Sequence, residues 1–461
     1  MHEEDTIVAI STAPGRGGLG VVRLSGSQAR AIALPMLRLR RALEAGHAVF
    51  GELVDPASGD RIDEVVVTFF ASPHSYTTED VVEISAHGSP VVLSQVVAAA
   101  SASGARVAEP GEFTMRAFLH GRLDLTQAEA VRDLIEARTL YQAKVAAQQL
   151  GGALSRELQP HKKKLLDLIA ELEAGIDFAE DDVSVLPWDE IGKRIAGVAH
   201  PLARLQQSFA YGKAVHEGIT LAIVGAPNVG KSSLFNCLVE GDRAIVTAAP
   251  GTTRDVVSET VSIGGIPVRL VDTAGLRSAS DEAEMIGIQK SYQALADADM
   301  VLVVRDATRD AATAADREFL EGLRERRVVV VENKIDLVGE NMIDLAESSS
   351  WPSRATMSHI KTSALTGTGI AALRAEILRQ IGGEAGTQPE GGFLTNLRHQ
   401  RLVIDAVSSL EAASQAAETH IPHEMIMIDL YAALRPLDAI TGETTADDIL
   451  NLIFSSFCIG K

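Results

Sequence analysis

The sequence has few cysteines and no excess of positive charge. Only Cys237 and Cys458 occur among 461 residues, which excludes a disulfide framework and predicts a reducing compartment. Lys and Arg total 42 against 62 Asp and Glu, a formal net charge of -20. This charge excludes a freestanding nucleic-acid binder that relies on overall positive charge, because such a field repels phosphate. A local basic patch or a basic partner remains possible.

Long apolar runs are also lacking. No uninterrupted run reaches the roughly 18 residues of a transmembrane helix, and the acidic residues 1–5 do not resemble the start of a signal peptide. We therefore expect a soluble, cytoplasmic protein without membrane contact. Hydrophobic residues make up 46% and charged residues 23%, so the chain can bury cores, and its length predicts about three domains.

The hydrophobic pattern divides the chain into four segments. Residues 1–118 mix short strands, at 6–10, 21–24, 64–70 and 80–85, with a helix at 89–103, which indicates an α+β domain. Residues 119–215 and 383–461 repeat apolar residues at helical spacing. Residues 216–382 alternate helices with continuous apolar runs, as in strands buried on both faces of a parallel sheet. We predict a multidomain fold in which an α/β domain is inserted into a helical domain.

A phosphate-binding loop follows the apolar run that begins at Leu221. Residues 225–232 read Gly-Ala-Pro-Asn-Val-Gly-Lys-Ser, the P-loop pattern. Glycines let backbone N–H groups wrap a phosphate, and the following helix N-terminus adds its dipole. Lys231 is then expected to reach the β- and γ-phosphates, and the Ser232 hydroxyl to ligate Mg²⁺.

Three further motifs, at residues 272–275, 333–336 and 361–365, predict that the nucleotide is GTP and that the inserted domain is Ras-like. Asp272 ends one apolar strand, where it can reach Mg²⁺ through water. Asp336 follows another strand, and its carboxylate can accept two hydrogens from guanine, which adenine cannot offer. The residues expected to contact GTP are Asn228, Val229, Gly230, Lys231, Ser232, Ser233, Thr247, Ala248, Ala249, Pro250, Gly251, Thr252, Thr253, Asp272, Thr273, Ala274, Gly275, Asn333, Lys334, Asp336, Ser363 and Ala364.

The hydrolytic residue is not evident from these motifs. Leu276 stands where many small GTPases carry a water-orienting Gln, which excludes a simple Ras-type mechanism. Asn228 could instead hold a monovalent cation beside the phosphates. Alternatively, Glu282 or Glu284 could orient the water. The loop at residues 247–255 could complete the Mg²⁺ and cation shells.

The whole chain resembles the MnmE, or TrmE, family of tRNA-modification GTPases. The resemblance rests on residues 13–18 near the start, on 109–114 and 123–130, on 251–255, and on the terminal 457–461. It implies an N-terminal folate-binding domain that also dimerises, a split helical domain and an inserted G domain. It further implies that the protein acts with the FAD-dependent partner MnmG. Together the two proteins would add an aminomethyl or carboxymethylaminomethyl group to C5 of the wobble uridine of certain tRNAs.

The resemblance also assigns ligands to individual residues. It implies K⁺ at Asn228, Thr247, Ala249 and Thr252, Mg²⁺ at Ser232 and Thr253, and Glu284 rather than Glu282 as the water-orienting acid. A tetrahydrofolate derivative, 5-formyl- or methylene-tetrahydrofolate, would supply the one-carbon unit. Its matching positions are Arg23, Glu83, Arg122 and Lys461, of which position 122 is often Lys in relatives.

Two rival functions and three minor features remain. The chain could be a ribosome-assembly switch without one-carbon chemistry, or a folate enzyme whose G domain only regulates. The glycine-rich residues 15–20 predict a tight loop lining the folate pocket rather than a dinucleotide site, since a strand follows. Cys458 is expected to be a small buried residue, and His87 to be either structural or close to the folate.

Overall fold

A computed structural model describes residues 5–177, 186–226, 228–240, 258–272, 297–308, 320–323, 326–338, 357–382, 393–444 and 447–460. The chain forms two compact units. Unit one combines residues 1–132, 150–155 and 437–461, and unit two combines residues 133–149 and 156–436. Each unit consists of several separate segments of the chain, and their limits do not correspond to the four segments predicted from the sequence. The predicted domain boundaries therefore stay predictions.

Unit one is built on a seven-stranded sheet with the strand order β3-β4-β5-β6-β2-β1-β7. Its pairs are antiparallel except for β1 and β7, which are parallel. The strands are β1 Ile7–Ile10, β2 Gly17–Ser25, β3 Leu37–Leu39, β4 Ala48–Val54, β5 Arg61–Phe70, β6 Val81–Gly88 and β7 Arg106–Val107.

Alternation along β6 determines which face of this sheet is buried. Val82, Ile84 and Ala86 are buried, whereas Glu83 and His87 lie on the other face. The described helices that begin in this unit are α1 Ala29–Ala33, α2 Pro90–Ala102, α3 Glu112–Leu119, α4 Leu125–Glu136, α6 Ala153–Asp177 and α13 Asp447–Ser455. Helix α2 packs against β1, β2 and β6 and completes the aliphatic core.

Unit two contains a six-stranded sheet with the order β13-β12-β11-β8-β10-β9. Every pair is parallel except β9 with β10. The strands are β8 Ile219–Val224, β9 Ser258–Ile263, β10 Ile266–Asp272, β11 Met300–Asp306, β12 Arg327–Asn333 and β13 Met357–Lys361. The four central strands are almost continuously buried, as expected for a sheet covered on both faces.

Helices supply the rest of unit two. Buried aliphatic residues recur at helical spacing along α7, from Ile191 to Leu205, and this face packs against α11. The helices that begin in unit two are α5 Leu140–Leu150, α7 Trp188–Gln207, α8 Phe209–Glu217, α9 Lys231–Glu240, α10 Ile370–Gly382, α11 Leu397–Glu418 and α12 His423–Thr441. Within the described ranges, no helix is both long enough and apolar enough to cross a membrane.

The predicted fold classes are confirmed, and two local expectations are wrong. Residues 17–20 do not form a loop, because they already belong to β2, where Gly17 pairs with Gly88 of β6. A Cβ at Gly20 would lie 2.5 Å from the end of the Leu93 side chain, so Leu93 would have to move to admit a larger residue there. Cys458 is exposed rather than buried, and the neighbouring Phe457 fills the core position instead.

Candidate functional site

The phosphate-binding loop joins the end of β8 to the start of α9. Its backbone takes left-handed conformations at Gly225, Asn228 and Gly230, with φ values of +152°, +64° and +93°. A Cβ at Gly225 would lie 2.2 Å from the Val304 carbonyl oxygen, and a Cβ at Gly230 would lie 2.3 Å from Asn333 Nδ2. The loop therefore needs glycine at both positions for packing as well as for backbone freedom.

Lys231 and Ser232 open α9, where the helix dipole is positive. The buried Lys231 ammonium group donates hydrogen bonds to the carbonyls of Gly225 (3.0 Å) and Ala226 (2.8 Å). The Ser232 hydroxyl donates to Asp272 Oδ2 at the end of β10, at 3.2 Å. Hydroxyl and carboxylate oxygens are the ligands Mg²⁺ prefers, so this pair fits the predicted magnesium site. Ser233 is exposed in the same helical turn.

Asn333, at the end of β12, connects the phosphate loop to the predicted base-binding loops. Its side chain is 1% exposed. Nδ2 donates to the Val229 carbonyl at 3.0 Å, while Oδ1 accepts from the Ala364 amide at 3.0 Å and from the Thr362 hydroxyl at 3.3 Å. Asn333 therefore holds the protein loops in place. The sequence analysis did not single out Thr362, although its place directly before Ser363 is a usable signal.

Lys334 adds a second connection on the exposed side of the same loops. Its ammonium group donates to the Asn228 carbonyl and to Asp306 Oδ2, both at 2.7 Å. Burial disfavours ionisation of Asp306, but hydrogen bonds from Lys334 and Thr308 outweigh it, and the pKa of Asp306 falls from 3.8 to about 2. The sequence analysis missed Asp306. It ends the apolar strand β11, as Asp272 ends β10, and this position could have identified it.

Asp336 presents a carboxylate at the same sheet edge. It is exposed, and its Oδ1 accepts a hydrogen bond of 2.5 Å from the Ser363 hydroxyl. That bond orients the carboxylate towards the surface, where it can receive paired donors from a ligand. Asp272, Asp306, Asn333 and Lys361 end parallel strands, and ligands of such sheets bind outside these carboxyl ends.

The structure thus brings together the predicted residues of four motifs: Asn228 to Ser233, Asp272, Asn333 to Asp336, and Ser363 with Ala364. The other residues predicted for GTP, K⁺, Mg²⁺ and water orientation, and Lys461 of the folate set, lie outside the described ranges. These are Thr247, Ala248, Ala249, Pro250, Gly251, Thr252, Thr253, Thr273, Ala274, Gly275, Glu284 with its alternative Glu282, and Lys461.

A separate cavity of about 640 Å³ lies in unit one. Glu83 and Arg122, both predicted from the sequence, line it together with Tyr76, His74 and His120. The Arg122 guanidinium group donates to the Tyr76 carbonyl at 2.6 Å and lies 5.0 Å from the Tyr76 ring centroid. The volume is typical of small-molecule sites. The sequence analysis missed Tyr76 and both histidines. His74 and Tyr76 lie between β5 and β6 and His120 follows α3, and nothing in the sequence pattern indicates that these two segments line one cavity.

Arg23 and Glu83 are paired with each other rather than placed at opposite ends of a ligand. They are directly opposite in β2 and β6, and Arg23 donates through Nε (2.9 Å) and a terminal nitrogen (2.7 Å) to Glu83 Oε1. The Arg23 guanidinium group lies 5.3 Å from the Tyr76 ring centroid. The assignment of Arg23 and Glu83 to the folate stays a prediction, and the pair lies beside the Tyr76 ring that lines the cavity.

The C-terminal segment reaches the first strand of unit one. Pro110 pairs with Ile459 in an antiparallel bridge, and a Cβ on Gly460 would lie 2.3 Å from the Ile10 carbonyl oxygen. His87 is exposed and bonds Asp63 through Nδ1 at 2.6 Å, and it does not line the cavity. His87 therefore has a structural partner on the neighbouring strand.

Comparisons with known proteins match both ends of the chain. Residues 6–122 match a family model described as the GTP-binding protein TrmE N-terminus, and residues 125–458 match one described as the MnmE helical domain. A tRNA modification GTPase MnmE from Koribacter versatilis is 65% identical over 464 residues and covers 100% of both chains.

Two other relatives carry the same name. The protein from Acetivibrio thermocellus is 41% identical over 465 residues, with 100% of both chains covered. The protein from Aquifex aeolicus is 42% identical over 458 residues, which cover 99% of this chain and 100% of that protein.

Proposed function

Because this chain belongs to the MnmE, or TrmE, family of tRNA modification GTPases, we propose that it is a K⁺-dependent GTP hydrolase. It acts with an FAD-dependent partner, MnmG, to add an aminomethyl or carboxymethylaminomethyl group to the wobble uridine of certain tRNAs. The observation that carries the GTP part is the convergence of the Lys231 loop, Asp272 and the Asp336–Ser363 pair at one edge of a parallel sheet.

In this proposal each described residue has one task towards GTP. Backbone N–H groups from Asn228 to Ser232 surround the phosphates, and Lys231 exchanges its carbonyl partners for phosphate oxygens. The Asp336 carboxylate accepts from the guanine edge, with Ser363 fixing its orientation. Ser232 and Thr253 would be the protein ligands of Mg²⁺. Asp272, which accepts a hydrogen bond from Ser232, would lie close to the ion. When bound, Mg²⁺ neutralises charge that develops on the phosphates.

The cation site centres on Asn228. Its side chain is exposed, and the Lys334 ammonium group fixes its backbone carbonyl, so the amide oxygen can face a ligand beside the loop. Thr247, Ala249 and Thr252 are the proposed further K⁺ ligands. A monovalent cation there supplies the positive charge that an arginine finger supplies in other GTPases.

Glu284 is the proposed water-orienting residue, and the neighbouring Glu282 offers a matched control. Glu284→Ala should bind GTP with unchanged affinity and hydrolyse it about a hundredfold more slowly, the usual loss of a positioned acid–base group. Glu282→Ala should retain the parental rate. Single-turnover hydrolysis, nucleotide affinity and tRNA modification with the partner should be measured for both variants. Equal rates in Glu284→Ala and Glu282→Ala would remove the assignment.

The unit-one cavity is the proposed site of a tetrahydrofolate derivative, 5-formyl- or methylene-tetrahydrofolate. Glu83 provides acceptors for pterin donors, while Arg122 provides a cation for the glutamate tail. The Tyr76 ring contacts the guanidinium groups of Arg23 and Arg122, and it offers an aromatic surface to the ligand. Lys461 is a further proposed contact, since the preceding Gly460 packs against the end of β1.

Arg122→Ala should therefore weaken 5-formyl-tetrahydrofolate binding. We expect a loss of about tenfold or more, because a hydrogen-bonded charge pair is removed. Arg40→Ala is the matched control: Arg40 lies over the ring of Phe50 in the same sheet, and it does not line the cavity. Titration calorimetry on the full chain measures both. Unchanged affinity in Arg122→Ala would contradict this placement.

The proposal includes a homodimer, a cytoplasmic location and a partner that carries most tRNA contacts. The net charge of -20 supports this division of labour, since the chain as a whole repels the tRNA backbone. A cytoplasmic location follows because the substrate tRNAs act there.

A further inference from the structure

Asp306 has no task in the function proposed above, yet hydrogen bonds connect it to the phosphate-binding loop. Its carboxylate is buried at the end of β11. Oδ2 accepts from the Lys334 ammonium group at 2.7 Å, and the same ammonium group donates to the Asn228 carbonyl at 2.7 Å. Because Lys334 directly follows β12, one ammonium group joins the ends of two strands to the loop.

Thr308 holds the other oxygen of the Asp306 carboxylate. The Thr308 backbone amide and hydroxyl both donate to Asp306 Oδ1, at 3.0 and 2.7 Å. Burial raises the pKa of Asp306, but these hydrogen bonds and the one from Lys334 outweigh burial and lower the pKa to about 2. The carboxylate is therefore both fixed in position and ionised at neutral pH, so it can hold the Lys334 ammonium group in one place.

The backbone is left-handed at both ends of the bond between Lys334 and Asn228. The φ values are +70° at Lys334 and +64° at Asn228. Such a conformation costs free energy for a residue with a Cβ, and it persists where the surrounding structure holds it, mainly at functional sites. In the described part of the chain four residues other than glycine have a positive φ, and two of them are this hydrogen-bonded pair. The bond from Lys334 therefore supports the turn at Asn228.

The turn at Asn228 also determines where its side chain lies, because the direction of Cβ follows from the backbone conformation. The side chain is exposed, and its amide carbonyl oxygen is the type of neutral ligand that can replace the hydration shell of K⁺. A ligand that is already in place binds more tightly than one that must first be ordered, since the ordering cost is avoided. The support from Lys334 should therefore increase the affinity of a cation site at Asn228.

From these contacts we propose that Asp306 is a positioning residue for the monovalent cation beside the phosphates. It holds the Lys334 ammonium group, Lys334 holds the left-handed turn at Asn228, and the turn places the Asn228 amide oxygen. Asp306 thus increases the affinity for K⁺ without contacting the ion. This inference rests on the proposed K⁺-dependent hydrolase and adds to it the residue that sets the cation requirement.

The contacts of the base-binding loops predict that nucleotide affinity depends less on Asp306. The carboxylate proposed for guanine, that of Asp336, is oriented by the Ser363 hydroxyl at 2.5 Å. Asn333 holds these loops through its own bonds to the Val229 carbonyl and the Ala364 amide. Loss of the Asp306 charge should therefore change the K⁺ requirement much more than it changes the affinity for GDP.

Asp306→Asn in the full chain tests this role with two measurements. In GTP turnover at saturating GTP and constant ionic strength, the half-activating K⁺ concentration should rise about tenfold, because a charged hydrogen bond is lost. Turnover at saturating K⁺ and the affinity for GDP should stay within about twofold of the wild type. Thallium(I), a K⁺ substitute of similar size, provides a readout without turnover: its affinity by thallium NMR, with a non-hydrolysable GTP analogue bound, should fall by the same factor.

Three further variants separate positioning from a general loss of stability. Asp299→Asn is the matched control, because Asp299 directly precedes β11 at the opposite sheet edge and accepts from the Thr220 amide at 2.8 Å; its K⁺ requirement should be parental. Thr308→Val removes one donor to Asp306 and should raise the requirement by a smaller factor. In Lys334→Met, adding Asp306→Asn should have no further effect, since Asp306 acts through that ammonium group.

Failure of this role is distinct from failure of the hydrolase. A parental K⁺ requirement in Asp306→Asn and Thr308→Val, beside a wild type that K⁺ stimulates, would overturn the positioning role alone. Equal losses of K⁺ and GDP affinity would also overturn it, because Asp306 would then support the loop as a whole. A wild type that does not respond to K⁺ would contradict the proposed hydrolase and this role with it. The exposed Thr308→Val keeps the test valid if Asp306→Asn does not fold.

Discussion

At the scale of single residues, the nucleotide site depends on side chains that bind protein groups rather than ligand. Asn333 and Lys334 occupy a motif that the sequence assigned to GTP, yet their hydrogen bonds join the phosphate loop to the base-binding loops. Asp306 completes this network through Lys334. The sequence could identify the motif from its spacing. It could not reveal these contacts, because they join residues that are 28 to 106 positions apart and meet only in the folded sheet.

The ion pair of Asp306 and Lys334 leads to a pH prediction. The pKa of Asp306 is lowered in the folded protein, from 3.8 to about 2, so the ionised form contributes stability above pH 3.8 and loses it as the pH falls towards 2. Asp306→Asn should therefore lower the free energy of unfolding by a constant amount between pH 8 and pH 5. The difference from the wild type should shrink only below about pH 4.

Urea unfolding at several pH values measures this difference. Asp405→Asn is the control, because Asp405 is exposed on α11, away from the nucleotide loops. A difference that already disappears between pH 7 and pH 5 would show that Asp306 is not held ionised by Lys334.

At the scale of helices and strands, the sequence predicted buried elements better than edge elements. The continuous apolar runs of β8, β10, β11 and β12 identified the centre of the parallel sheet. The edge strands β9 and β13 went unrecognised, since β13 (Met-Ser-His-Ile-Lys) is half-buried throughout and lacks alternation. In unit one β4 was missed as well, because Gly51 interrupts its apolar pattern where β3 packs closely.

Packing between elements predicts the effect of a single glycine change in the phosphate loop. Gly230→Ala would place a Cβ 2.3 Å from Asn333 Nδ2 at a φ of +93°, so either the loop or β12 must shift. We expect GTP affinity to fall at least tenfold, with a loss of stability of about 1–3 kcal/mol.

The matched control is Gly197→Ala in the middle of α7, where a Cβ meets nothing within 4 Å. This change should stabilise the helix by about 0.5–1 kcal/mol and leave GTP affinity unchanged. Nucleotide titration and thermal unfolding distinguish the two. Normal GTP binding by Gly230→Ala would contradict the tight packing between the loop and Asn333.

At the scale of the whole molecule, the two units carry different parts of the proposed function. Unit one carries the cavity proposed for the folate, and unit two carries the proposed GTP site. Family membership could be inferred from short motifs at both ends of the chain, whereas the position of Tyr76 and the unit-one cavity required the folded structure. In the proposed function the net charge of -20 leaves most tRNA contacts to the partner.

The most direct test of this account is GTP turnover by the purified full chain with Mg²⁺, in K⁺ and then in Na⁺ at equal ionic strength. The account predicts strong stimulation by K⁺ alone, because Na⁺ is too small for ligands arranged around K⁺. Lys231→Ala should show no stimulation in either salt. Equal turnover of the wild type in K⁺ and Na⁺ would contradict the cation-assisted mechanism and indicate that another group supplies the positive charge beside the phosphates.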